Sequence, residues 1–229
     1  EKKEEIVAGG RFLRWVYETP TGYFFLEAFF KKKIFSYLYG KQQDFKISKY
    51  KIKRFVRNLK VDMSEAQINN IKHYKTFNDF FTRKLKTTAR PIEQDKNILV
   101  SPADGRVLAY QELDIDKVLQ IKGFHYSLVD LFQDPQLADE YNKGSCLVIR
   151  LSPSDYHRFH FPDDGIPEAP RKIKGKYYSV NPLALKKIER LYCQNKRELT
   201  VFRSENFDKI VFVEVGATCV GSIVQTYVP

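Results

Sequence analysis

The chain has 229 residues, 43% hydrophobic and 29% charged, a balance that excludes wholesale disorder and lets a chain of this length bury a core without staples. Its net charge is +11, but eleven cations and a single acid, Asp44, fall between Lys31 and Lys60, so that segment alone carries +10. The three scattered cysteines (Cys146, Cys193, Cys219) form no CxxC pair, which argues against a disulfide framework or a zinc ribbon and fits a reducing compartment. The length suits one catalytic-sized domain with a smaller appendage. The first residue is Glu rather than Met, so the start of the protein is expected to be missing, and no signal-peptide pattern follows.

From Arg11 to about Lys86 the pattern is mostly helical. Leu26, Phe30, Ile34 and Tyr37 recur at helical spacing, Glu27 stands four residues before Lys31, and Gly40 is an expected stop. Aromatic residues from Phe12 to Tyr39 crowd the same stretch. Charges at Glu27 and Lys31–Lys33 interrupt it, so it is too broken to span a bilayer. Aromatics beside lysines suit a helix lying in a lipid interface, where each basic residue near an anionic leaflet adds about 1 kcal/mol. A helix packed on its own domain with a solvated basic face fits nearly as well. Nucleic acid needs the same charges, but no helix-turn-helix or RNA-binding signature accompanies them. Ser64-Glu65-Ala66-Gln67 reads as a capping box, Phe77–Phe81 as a short helix, and Arg90-Pro91 as a break.

Short β-rich runs follow at Ile98–Val100, Arg106–Tyr110, Ser145–Leu151, Leu199–Arg203, Ile210–Val215 and Ser222–Val228. Helices are expected near Ser127–Phe132 and Leu183–Tyr192. The expected fold is α+β: a helical, basic and aromatic membrane-associating region over 1–76, then an antiparallel β-rich catalytic domain over 77–229.

Two of the four histidines lie in Asp155-Tyr156-His157-Arg158-Phe159-His160, directly after a convincing strand. Residues three apart face opposite ways on a strand and the same way on a helical turn. His157 and His160 therefore either divide two proton-transfer tasks, chelate a metal, or are hydrogen-bonded structural residues. Asp104, in Ser101-Pro102-Ala103-Asp104-Gly105, either closes an ordinary turn or orients a histidine as in a Ser-His-Asp arrangement. Gly216 and Gly221 mark a bulge or a tight turn between β runs.

In register, these segments resemble phosphatidylserine decarboxylase. The match runs through Phe80-Phe81-Thr82-Arg83, Ala89-Arg90-Pro91-Ile92, Ser101–Gly105, Lys122–Leu128 and Leu151–Pro153. It continues through Asp155–Pro162, Tyr178-Ser179-Val180-Asn181 and Val215–Ile223. The resemblance implies a peripheral enzyme on the cytoplasmic face of the cell membrane, converting phosphatidylserine to phosphatidylethanolamine. In that family a serine of a proenzyme attacks the preceding carbonyl, and the new N-terminal residue becomes a pyruvoyl group. This covalent cofactor forms a Schiff base with the lipid's amine. The resemblance assigns Asp104 and His160 to the triad that activates the serine, His157 to the decarboxylation step, and Tyr126, Ser179 and Asn181 to substrate binding, with no metal. No Gly-Ser-Thr or Gly-Ser-Ser occurs in the chain, so the pyruvoyl-forming serine is expected beyond Pro229. The chain is then most of the β subunit, inactive by itself, with the α subunit, phosphatidylserine and an anionic membrane surface as partners, a homodimer allowed, and no nucleic acid. The competing readings are a metal-dependent hydrolase using His157, His160 and Asp155, and a non-catalytic module that binds anionic membranes through 31–60.

Overall fold

The structure, a computed structural model, describes residues 9–119, 124–220 and 222–227. It opens with α1 (Gly10–Glu18), α2 (Pro20–Phe25), a π-helical turn (Leu26–Phe30), α3 (Lys33–Gln42), a 3-10 turn (Lys46–Lys49) and α4 (Tyr50–Leu59). Thr19 separates the first two helices. Its hydroxyl accepts from the Gly22 N–H at 3.1 Å, and Pro20 occupies the first helical position, where no N–H is needed. Gly22 is required where α2 meets α1, because a Cβ there would stand 2.0 Å from the Trp15 carbonyl oxygen.

The stripe expected from Leu26 to Tyr37 divides at Lys31–Lys32, which breaks the helical run. Leu26 is buried, whereas Ile34 and Tyr37 are exposed. Glu27 does pair with Lys31 one turn on. Gly40 is no stop, since α3 continues to Gln42.

Between α4 and α5 the helical expectation fails apart from a 3-10 turn at Ile71–His73. Asp62 Oδ1 accepts from the Ser64 N–H at 2.8 Å, Gln67 N–H donates to the Lys84 carbonyl at 2.9 Å, and Lys86 N–H to that of Glu65 at 2.9 Å. Residues 65–67 therefore run extended beside 84–86, a long-range pairing that overrides the local capping pattern. Helix α5 (Phe77–Phe81) forms as expected, with Thr76 capping the Asp79 N–H at 3.1 Å.

The remainder is antiparallel sheet with short helices. Strand β1 (Arg106–Tyr110) pairs with β4 (Cys146–Arg150), and β2 (Val118–Leu119) with β3 (His125–Tyr126). The long strand β7 (Arg197–Ser204) carries β8 (Lys209–Val215) along one edge, and β5 (Gly165–Pro167) and β6 (Arg171–Ile173) end to end along the other. The connections hold α6 (Leu128–Phe132), α7 (Pro135–Asp139), α8 (Pro182–Lys187) and α9 (Leu191–Gln194). The α+β class is as expected from the sequence. Residues 98–100 and 222–227 are not strands, and Val228 lies outside the described residues. The single helix expected over 183–192 is two, because Arg190 takes a left-handed φ of 51° between them.

Three apolar clusters hold these parts together. One lies under β7, around Val118, Tyr126, Leu128, Phe132 and Leu199. A second packs Val16, Tyr17 and Leu26 of the N-terminal helices on Leu185, Ile188 and Leu191. The third joins Ile52 and Leu59 of α4 to Tyr74 and Phe80, and so crosses the expected boundary at 76/77. Arg197, fully buried, donates to the carbonyls of Asp130 and Leu131 in α6 and of Cys193 in α9, satisfying groups that helix C-termini leave open.

Candidate active site

Asp104 and His160 come together because two loops are zipped by their backbones. The Val100 N–H donates to the Pro162 carbonyl at 3.1 Å and the His160 N–H to that of Pro102 at 3.0 Å. The turn at Asp104 needs the glycine that follows it. Gly105 has φ +153°, and a Cβ would meet the Arg150 carbonyl oxygen at 2.9 Å. Asp104 and His160 line one cavity of about 880 Å³, with Arg90, Ser101, Tyr156 and Arg158 also on its wall.

Within the cavity the two side chains have different partners. Arg90 Nε and Nη2 donate to the two Asp104 carboxylate oxygens at 2.8 and 2.7 Å. This fork, together with the Tyr156 N–H, holds the carboxyl below its ordinary titration range. His160 places Nδ1 2.6 Å from the Phe161 carbonyl oxygen. A carbonyl can only accept, so Nδ1 carries a proton, and in the neutral ring Nε2 carries the lone pair. An imidazole in that tautomer is a general base.

His157 is not on the wall of that cavity. Its Nδ1 donates to the Asp155 carbonyl at 2.9 Å, and its ring lies 4.0 Å from that of Phe81. The end of α5 fixes the whole loop. The Phe81 ring packs against His157 at a tilt, the Thr82 carbonyl accepts from Arg158 Nε at 2.8 Å, and Arg83 Nη2 donates to the Ser154 carbonyl at 3.3 Å. Arg83 is 5% exposed, and its Nε and Nη1 have no partner among the described residues. Burial lowers the His157 pKa from the ordinary 6.5, and the nearby Arg83 charge lowers it further against Asp155. His157 is therefore neutral at pH 7. By NMR its ring should titrate below 6.5, and Arg83→Met should move that titration upward; an unmoved titration would separate the two groups electrostatically.

The expectation of a strand or a helical turn across the histidines is corrected. Residues 151–162 form neither, and a turn at 153–155 is closed by Asp155 Oδ2 accepting the Ser152 N–H at 2.6 Å. Among the described residues no group of three His, Cys, Asp or Glu side chains is set to hold a metal.

Tyr126, Ser179 and Asn181 do not line the cavity. Tyr126 is buried in the β7 cluster, 5.9 Å from the Tyr192 ring, and burial raises its hydroxyl pKa. Asn181 caps α8 by accepting the Ala184 N–H at 2.9 Å, and its Nδ2 donates to the Ser179 hydroxyl at 2.9 Å. Lys122, Gly123 and Gly221 of the matched segments lie outside the described residues. Arg90 and Arg83 carry contacts that reading of the residues alone missed. The signal for Arg90 was its place before Pro91, which biases its backbone toward extended forms.

A family model described as phosphatidylserine decarboxylase matches residues 77–229. A phosphatidylserine decarboxylase proenzyme from Clostridium botulinum (strain Langeland) is 55% identical over 225 residues, covering 98% of this chain and 76% of the relative. Proenzymes of the same name from Clostridium beijerinckii and Clostridium perfringens are each 53% identical, covering 99% and 98% of this chain and 76% of each relative.

Proposed function

Because this chain belongs to the phosphatidylserine decarboxylase family, we propose that Asp104 and His160 mature its proenzyme and that His157 moves the proton of the decarboxylation. The reaction is that of a carboxy-lyase: phosphatidylserine loses carbon dioxide to become phosphatidylethanolamine. The observation that carries the reading is the pair of backbone hydrogen bonds that brings a carboxylate and a lone-pair imidazole to one cavity.

For maturation, His160 Nε2 takes the proton of a serine hydroxyl as that oxygen attacks the preceding carbonyl. The ionised Asp104 stabilises the imidazolium, and the proton passes to the departing nitrogen. The chain returns to this wall at Tyr227, whose ring lies 5.3 Å from that of Phe161, next to His160. The residues fit a covalent pyruvoyl group, since the cavity wall holds the base and carboxylate that its formation from serine requires. When bound, the group supplies the electron sink for the carbanion left by carbon dioxide.

Neutral His157 then suits a return trip for one proton. Its Nε2 takes the proton from the substrate ammonium, which must be an amine to react, and gives it back to the carbon that loses carbon dioxide. The imidazolium that protonates the carbon is thus acquired during the reaction and is not the resting state. Lys86, Arg106 and Arg158 on the cavity wall suit an anionic headgroup. Deleting His160 or His157 tests the two assignments separately, as argued below.

Peripheral association with an anionic membrane is part of the proposal. No helix among the described residues is long and apolar enough to cross a bilayer. The N-terminal helices bury one face on α8 and α9, yet bare Phe12, Phe24, Phe29, Ile34, Tyr37 and Leu38 beside exposed Lys32 and Lys33. Aromatic and aliphatic groups rimmed by cations suit an interfacial seat. At about 1 kcal/mol per charge, Lys32→Gln with Lys33→Gln should weaken partition into phosphatidylserine vesicles by about 30-fold at low salt. Vesicle cosedimentation measures it, and unchanged binding would remove these cations from the seat.

A further inference from the structure

Arg90 is more than one partner of Asp104. Its Nη1 and Nη2 also donate to the two Glu65 oxygens, both at 3.1 Å, and Nη1 to the Ala89 carbonyl at 2.6 Å. One planar guanidinium is thus gripped by two carboxylates and a carbonyl. Glu65 is itself anchored, because its carbonyl accepts the Lys86 N–H at 2.9 Å in the extended pairing of 65–67 with 84–86. The chain of contacts runs from that pairing, through Glu65 and Arg90, to the carboxylate on the cavity wall.

A bidentate fork fixes a carboxylate's plane, which a point charge does not. It uses one lone pair on each oxygen and leaves the others for a second donor. We propose that Arg90 is the positioning residue of proenzyme maturation, fixing the Asp104 carboxylate on the cavity wall that it shares with His160, with Glu65 holding Arg90 in place. This rests on the maturation role given to Asp104 above. The groups facing Asp104 are Arg90, the Tyr156 N–H and the more distant Arg83 charge. Arg83 is held at Ser154, so among the described residues Arg90 is the side chain that touches the carboxylate.

The test follows self-cleavage of the full-length proenzyme on denaturing gels for wild type, Arg90→Ala, Arg90→Lys, Glu65→Gln and Asp104→Asn. Thermal melts report whether each is folded. Arg90→Ala should mature about 30-fold more slowly, since small misplacements of a catalytic group cost one to two orders of magnitude. Arg90→Lys should recover part of the rate, and Glu65→Gln should lose a few-fold. Added methylguanidinium should speed Arg90→Ala several-fold and leave Asp104→Asn unchanged, which a merely structural role would not produce. Maturation of Arg90→Ala at the wild-type rate would overturn the proposal. So would full rescue by lysine combined with indifference to methylguanidinium. Should Arg90→Ala fail to fold, Arg90→Lys and Glu65→Gln decide: wild-type rates in both overturn the proposal. Normal maturation of Asp104→Asn would instead remove the triad reading itself, whatever Arg90 does.

Discussion

His160→Ala in the full-length proenzyme should leave a single uncut chain, its self-cleavage slowed by about 10⁴-fold, as loss of the base in a serine–histidine pair does. A serine hydroxyl is a weak nucleophile until a neighbouring base takes its proton. On the cavity wall the group with a free lone pair and a fixed tautomer is His160, whose Nδ1 proton is held by the Phe161 carbonyl. Alanine removes the base while keeping the Pro102 contact, which is made by the backbone N–H of residue 160. The fold should therefore survive, and an unchanged melting curve beside a blocked cleavage is the expected pair of results. Cleavage at the normal rate would assign the base elsewhere.

His157→Ala should mature and then turn over about 10²- to 10⁴-fold more slowly, the usual contribution of a positioned proton carrier. Its ring packs at a tilt against Phe81 and is bonded to its own loop, with no contact to Asp104 or His160 among the described side-chain contacts, so maturation should not depend on it. The sign of the pH effect follows from its environment. Burial and Arg83 hold the pKa below 6.5, and the working form at the start of a cycle is neutral. Wild-type turnover should therefore fall on the acid side with a midpoint below 6.5. In His157→Ala this acid limb should vanish from the residual rate. Turnover per matured molecule, measured as released carbon dioxide against pH, checks both points. An acid limb that persists in the variant would assign it to another group.

The parts legible in the sequence were those that local chemistry decides. Strands β1, β4, β7 and β8 are runs of β-branched and aromatic residues between turn clusters, and each formed within a residue or two of its expected place. Helix α6 starts at a serine cap, where Ser127 accepts the Asp130 N–H at 3.0 Å. What failed depended on distant partners. Ser64–Gln67 carries a sound capping pattern, but pairing with residues 84–86 claims its backbone first. At the site, His157, His160 and Asp104 stood out as rare types in special spacings. Their neighbours did not, because Arg90 reaches Asp104 from fourteen residues away and Arg83 reaches Ser154 from seventy-one. Asn181-Pro182 also carries a local signal, because a cap residue followed by proline starts a helix, and Asn181 caps α8.

Intact-mass spectrometry of the full-length protein, wild type beside Asp104→Asn, tests the central assignment most directly. The wild type should give two fragments, the smaller one lighter by one ammonia than its serine-started sequence, as a pyruvoyl terminus requires. Asp104→Asn should give one mass, that of the uncut chain. The same two fragments from Asp104→Asn, formed at the same rate, would contradict the account.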